Sequence, residues 1–137
     1  MLANQGKDES TIFLVDDDPA IRRSLPRALR TRGFQVEVFE SAAAFLEVID
    51  PTKPGCLILD QGMPNMTGLE LQLELAERSV DIPIIFISGH AGVQNCAQAM
   101  RAGAIDFLEK PFRQDDLLQR VDEAMSLDAK NRREALP

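Results

Sequence analysis

Two cysteines and one histidine are all the thiol and imidazole ligands that this chain of 137 residues carries. Cys56 and Cys96 lie far apart and form no C-x-x-C pair. A structural disulfide is therefore not expected, and both read as small buried hydrophobes. His90 stands without a cysteine cluster, which leaves no material for a zinc site. Long apolar runs are also missing: none reaches the ~18 residues of a membrane-spanning helix. The opening segment MLANQGKDES lacks the apolar stretch of a secretory signal, so a cytoplasmic protein is expected. Positive charge is scarce: Lys+Arg is 15 against Asp+Glu 22, a net charge of -7. That balance argues against a grip on nucleic acid, which rests on neutralising phosphates, and against adhesion to an anionic membrane.

What is present suits one domain with a core of its own, since the chain is 45% hydrophobic and 27% charged. Residues 1–10 are polar and expected to be flexible. Residues 128–137, DAKNRREALP, are charged and read as a tail or the start of a linker, which leaves 11–127 as the domain. Within it, Thr11–Val15 (TIFLV), Cys56–Leu59 (CLIL) and Ile82–Ile87 (IPIIFI) are continuous apolar runs, as in strands buried on both faces of a parallel sheet. Phe34–Phe39 (FQVEVF) alternates and suits a strand nearer an edge, and Ala104–Leu108 is a fifth short candidate.

Helical patterns fill the gaps. Asp18-Pro19 reads as an N-cap and first helical position, followed by Ile21, Leu25, Ala28 and Leu29 on one face. Pro26 inside that helix is expected to kink it. Ser41 can cap a second helix carrying Phe45, Leu46 and Ile49. Leu69, Leu73 and Ala76 mark a third; Val93, Cys96, Ala97 and Met100 a fourth, ended by Gly103; and Leu117, Val121, Ala124 and Met125 a fifth. Strand–helix alternation repeated five times predicts an α/β doubly wound parallel sheet with helices on both faces. Chemistry in such folds sits at the carboxyl ends of the central strands.

Those ends are acidic. Asp16-Asp17-Asp18 follows the first strand, Asp60 ends the third, Ser88 ends the fourth, and Lys110-Pro111 lies just past the fifth. The first loop lacks the glycines of a nucleotide-phosphate cradle. Two carboxylates ~5 Å apart at an effective dielectric of about 20 repel by about 3 kcal/mol, so such a cluster needs counter-charge. Lys110 supplies one positive charge and a divalent ion two. Mg²⁺ fits, because it takes one or two carboxylates, keeps waters and leaves room for a phosphate oxygen. This is the pattern of a phosphoryl-transfer site with a carboxylate nucleophile, since no serine has a histidine base placed beside it. Singly, each residue has a plainer reading: Asp18 a helix cap, Asp16, Asp17 and Asp60 solvated strand-end acids, Ser88 a turn residue, Lys110 a surface charge, His90 a solvated loop residue and Phe107 core. Their joint occurrence at successive strand ends carries the functional reading.

The segments VDDDPAIRRSL, LILDQGMPNMTGLEL, IIFISGHAG and AGAIDFLEKPF resemble the four signatures of receiver (CheY-like) domains of two-component response regulators, over roughly residues 11–127. ISGHAG and DFLEKPF are most similar to the FixJ-type subgroup, whose members usually carry a helix-turn-helix output domain. The resemblance implies a flavodoxin-like sheet of strand order 2-1-3-4-5. It implies that Asp60 accepts a phosphoryl group from the phosphohistidine of a sensor histidine kinase. Asp16, Asp17, Asp60 and the backbone carbonyl of Gly62 would hold Mg²⁺, Ser88 and Lys110 would bind the phosphoryl oxygens, and Ser88 and Phe107 would form the switch. The Lys110–Pro111 bond is similar to one that is cis in the family. The face made by the fourth helix, fifth strand and fifth helix would change shape and drive homodimerisation or effector control, with transcription reached through an output domain absent from this chain. On this reading the chain is no enzyme beyond its own phosphorylation and autodephosphorylation. Gln61 and Gly62 depart from the larger or charged residues of many relatives, and Gly62 and His90 occupy positions that tune dephosphorylation. The rival is a haloacid-dehalogenase-type phosphatase with Asp16 as nucleophile and Asp18 as general acid. Against it, Ala20 stands where that motif wants Thr or Val, and no cap domain is present.

Overall fold

The fold is described from a computed structural model, over residues 10–89 and 95–135. Five strands run in the order β1 (Thr11–Val15), β2 (Gln35–Phe39), β3 (Gly55–Asp60), β4 (Ile84–Ser88) and β5 (Asp106–Glu109). The helices are α1 (Pro19–Thr31), α2 (Ala42–Val48), α3 (Gly68–Glu77), α4 (Cys96–Arg101) and α5 (Gln114–Ala135). All strand pairs are parallel, in the order β2-β1-β3-β4-β5. The expected architecture is therefore the observed one.

Burial explains the strand patterns. Every residue of β1, β3 and β4 is buried, because helices cover both faces of the central sheet. On one face Ile12, Leu14, Ile58, Ile85 and Ile87 pack with Leu25 and Leu29 of α1 and Leu117 and Val121 of α5. On the other, Phe13, Val15, Leu57, Leu59 and Phe86 pack with Phe45 of α2, Leu71 and Leu75 of α3 and Ala99 of α4. The alternating strand β2 lies at an edge.

Local signals place the helix ends. Asp18 caps α1 by accepting from the Ala20 N–H at 2.9 Å, with Pro19 opening the helix. Ser41 Oγ accepts from the Ala44 N–H at 3.1 Å, and Gly103 at φ +103° ends α4. α1 continues through Pro26, whose ring is buried. Several expectations shift. β4 begins at Ile84, two residues later than the apolar run, because Pro83 has no N–H to give to a ladder; its carbonyl accepts from the Leu57 N–H at 2.9 Å. β5 likewise begins at Asp106, not Ala104. In α3 the leucines at 69, 71, 73 and 75 alternate every second residue, so one helix face cannot take them all. The structure buries Leu71 and Leu75 and leaves Leu73 53% exposed, against the expected Leu69–Leu73–Ala76 face. Cys56 is buried, and burial followed by the nearby Asp128 pushes its thiol up, whereas Cys96 is only half-buried.

A further shift concerns the segment from residue 128, expected as a tail or the start of a linker. α5 runs on to Ala135, held by a buried polar clamp. The Asp128 carboxylate accepts from the Gly55 N–H at 3.0 Å and from Arg132 Nε at 2.8 Å. Arg132 also donates to the carbonyls of Pro51, Thr52 and Lys53. Gly55, at φ +152°, lies so close to β1 that a Cβ there would meet the Thr11 carbonyl oxygen at 1.9 Å. Asp128→Ala would strip a buried N–H of its partner, and the expected loss is about 2 kcal/mol in urea unfolding. An unchanged midpoint would contradict the role given to this clamp.

Candidate functional site

Register brings the strand-end residues together. Val15 pairs with Leu59, so Asp16 and Asp60 leave neighbouring strands side by side. Asp60 pairs with Ile87, and Ser88 with Glu109, which sets Lys110 just past the end of β4. The Lys110 N–H donates to the Ser88 carbonyl at 2.6 Å, and the Lys110–Pro111 peptide is cis. One ammonium then serves two strands: Lys110 Nζ lies 3.0 Å from Asp16 Oδ2 and 3.4 Å from Asp60 Oδ1.

Each carboxylate is held separately. Asp16 is fully buried, and its Oδ1 accepts from the Asp18 N–H at 2.9 Å. Arg22 donates to the Asp16 backbone carbonyl at 3.1 Å. Asp60 is 4% exposed, and its Oδ1 accepts from the Gly62 N–H at 3.3 Å. Asp17 is exposed beside them. Carboxylate oxygens of Asp16, Asp17 and Asp60 lie within 4.8 Å of one another. Asp17 and Asp60 line a cleft of about 580 Å³, together with residues that include Asp18, Gln61, Gly62, Ser88 and Lys110.

Burial, and then repulsion from Asp16, pushes the Asp60 carboxyl up to about 6, against the opposing pull of Lys110 and the Gly62 N–H. Burial alone would lower the Lys110 ammonium; its contacts with Asp16 and Asp60 outweigh that, and its pKa is raised. Three clustered carboxylates against one ammonium leave two negative charges uncompensated. An all-oxygen donor set with that charge fits a small hard dication such as Mg²⁺.

The residues expected at the site thus converge: Asp17, Asp60, Gly62, Ser88 and Lys110 line one cleft, and the buried Asp16 joins them through Lys110 and the neighbouring carboxylates. Asp18 does not serve the cluster with its side chain, which caps α1. Phe107 is half-buried and stacked on Phe86, with ring centroids 5.7 Å apart and planes at 18°. His90 lies outside the described residues. The sequence reading missed the way the acceptor loop is tied to α3. Thr67-x-x-Glu70 is a capping box, a signal visible in the sequence. Gln61, whose Oε1 accepts from the Leu69 N–H at 2.8 Å, gives no local signal of that role.

Comparison with known proteins agrees with this geometry. The family model of the response regulator receiver domain matches residues 12–122. The chain is 49% identical over 119 residues to the response regulator protein TmoT of Ectopseudomonas mendocina, covering 87% of this chain and 54% of that protein. The solved structure of response regulator StyR superposes with a TM-score of 0.88 at 44% identity, covering 92% of this chain and 64% of that one. The structure of FixJ-N gives 0.80 at 38% identity, covering 85% and 94%. The chain belongs to the receiver-domain family of response regulators, and its likeness to FixJ agrees with the expected subgroup. It spans about half the length of the curated relatives it matches. These matches lend no support to the phosphatase. Among the described residues, no helix is long and apolar enough to cross a membrane.

The raised Asp60 carboxyl has a consequence for stability. Its folded value lies above the unfolded 3.8, so the metal-free protein loses stability as pH rises from about 4 to about 6, and the cost is fully present above about 6. Asp60→Asn removes that cost. In chelator, the variant is expected to exceed the native protein by on the order of 1–2 kcal/mol above pH 6, with the gap closing towards pH 4. Thermal unfolding across that range checks it, and a gap independent of pH would contradict the assignment.

Proposed function

We propose that this receiver domain takes a phosphoryl group from the phosphohistidine of a sensor histidine kinase onto Asp60. The observation that carries the proposal is the clustering of the Asp16, Asp17 and Asp60 carboxylates, with the ammonium of Lys110 against Asp16 and Asp60. Asp16, Asp17, Asp60 and the Gly62 carbonyl would hold Mg²⁺; when bound, the ion neutralises charge on the transferring group. An Asp60 oxygen attacks phosphorus while the N–P bond breaks, its electron pair returning to the imidazole nitrogen. Lys110, already 3.4 Å from Asp60 Oδ1, turns to a phosphoryl oxygen. The Ser88 hydroxyl donates to another.

The aspartyl phosphate adds about −1.5 to −2 charges where Lys110 was balancing carboxylates. Drawing Ser88 inward makes room for Phe107, and the surface of α4, β5 and α5 changes shape. Two states of one element, biased by a local charge, are what such a switch requires. The changed face supports a phosphorylation-dependent homodimer. Because the relatives are nearly twice as long, control of an effector such as transcription would run through a module outside residues 11–127. Gly62 lines the cleft beside Asp60, and, as the resemblance implies, it and His90 would tune the access of hydrolytic water.

The test is treatment with acetyl phosphate and Mg²⁺, borohydride trapping and peptide mass spectrometry. Label is expected on Asp60, absent in Asp60→Asn, and label on Asp16 would overturn the proposal. Beryllofluoride with Mg²⁺ is expected to shift sedimentation towards a dimer. His90→Ala is expected to alter the rate of autodephosphorylation, followed as loss of Asp60 label.

A further inference from the structure

All four amide donors at the start of α3 are satisfied, two of them by one residue. The Thr67 N–H donates to Glu70 Oε1 at 2.9 Å, and the Glu70 N–H donates to Thr67 Oγ1 at 3.2 Å. The Gly68 N–H donates to the Gln61 carbonyl at 3.3 Å, and the Leu69 N–H donates to Gln61 Oε1 at 2.8 Å. The Gln61 N–H in turn donates to the Ile87 carbonyl at 3.0 Å. Three polar groups of a single residue, 7% exposed, thus tie the end of β3 to β4 on one side and to α3 on the other. The approach is close: a Cβ on Gly68 would come within 2.8 Å of the Asp60 carbonyl oxygen and 3.0 Å of Gln61 Cα.

Gly62 follows directly. It is exposed, and it has no side chain of its own to anchor it. Its N–H reaches Asp60 Oδ1 at 3.3 Å, and its flanks are the buried residues Gln61 and Met63. The orientation of the 61–63 backbone is therefore fixed from outside Gly62, and Gln61 supplies most of the ties.

We infer that Gln61 is a positioning residue, whose clasp on the first turn of α3 aims the Gly62 carbonyl beside Asp60 and thereby sets the affinity for Mg²⁺. This rests on the proposed site. Groups that orient metal ligands from behind typically alter affinity 10–100-fold. A helix cap that served stability alone would leave Mg²⁺ affinity untouched.

The variants are Gln61→Met, of similar length without an acceptor oxygen, and Gln61→Glu, which keeps one. Two measurements are made without any phosphodonor: Mg²⁺ titration by calorimetry, and amide exchange at Leu69. Gln61→Met is expected to weaken Mg²⁺ by about tenfold and to expose the Leu69 amide to exchange. Gln61→Glu is expected to keep both near the native values or to tighten Mg²⁺. With acetyl phosphate, Gln61→Met should raise the half-saturating Mg²⁺. Should Gln61→Met fail to fold, Gln61→Asn, one methylene shorter, carries the same measurements. Native Mg²⁺ affinity in a variant whose Leu69 amide exchanges freely would overturn the inference, as would Leu69 protection that persists without the oxygen. Failure of the native protein to label on Asp60, with the Mg²⁺ effects intact, would instead overturn the proposed function alone.

Discussion

Everything at the carboxyl edge of the sheet depends on one unfavourable fact: Asp16 and Asp60 are buried side by side with the same charge. Lys110 makes that tolerable without making it comfortable. It lies closer to Asp16 than to Asp60, and the second carboxyl is pushed up to about 6. A carboxylate that is desolvated, repelled and only partly compensated interacts strongly with whatever positive charge arrives, because the low local dielectric magnifies it. The cluster is thus poised for a dication.

That poise follows from topology. In the order β2-β1-β3-β4-β5 the strands bearing Asp16 and Asp60 are neighbours, while β5, which leads to Lys110, lies two strands beyond β3, with β4 between them. An ammonium on a four-carbon stem covers the gap, and its base is fixed by the bond from the Lys110 N–H to the Ser88 carbonyl. The hydrophobic runs of β1, β3 and β4 do their part by being buried from end to end, so that each register holds until the first polar residue turns out at the edge. The acids are brought together by apolar packing that overcomes their mutual repulsion.

The same logic separates what could be read from the sequence from what could not. Strands and strand ends were legible because buried parallel strands are unbroken apolar runs and their termini are marked by the first charges, as at Val15-Asp16 and Leu59-Asp60. Asp18-Pro19 and Ser41 were legible as caps because capping is local. The face of α3 was not, since leucines at every second position satisfy two helical faces equally, and only packing against Phe86 and its neighbours selects Leu71 and Leu75. The end of α5 was not either: residues 128–135 look like a charged tail until Gly55 and the loop at 51–53 supply partners for Asp128 and Arg132. Gln61 belongs to the same class, a polar residue whose meaning lies in an amide eight positions away.

The cleft is therefore built asymmetrically. On the α3 side the backbone from Asp60 to Leu69 is tied through Gln61, the Thr67–Glu70 box and the close approach of Gly68. On the α4 side the helix is six residues long, and Asn95 provides no side-chain cap. Its link to α3 is a bond from Gln72 Nε2 to the Ala99 carbonyl, made by a buried amide whose Oε1 has no partner among the described residues. An unsatisfied buried acceptor costs on the order of 1–3 kcal/mol, so this contact is weaker than its geometry alone implies. The α3 side of the cleft is thus held by side-chain bonds from Gln61, Thr67 and Glu70, while the bond from Gln72 to the Ala99 carbonyl joins α3 to the short helix α4.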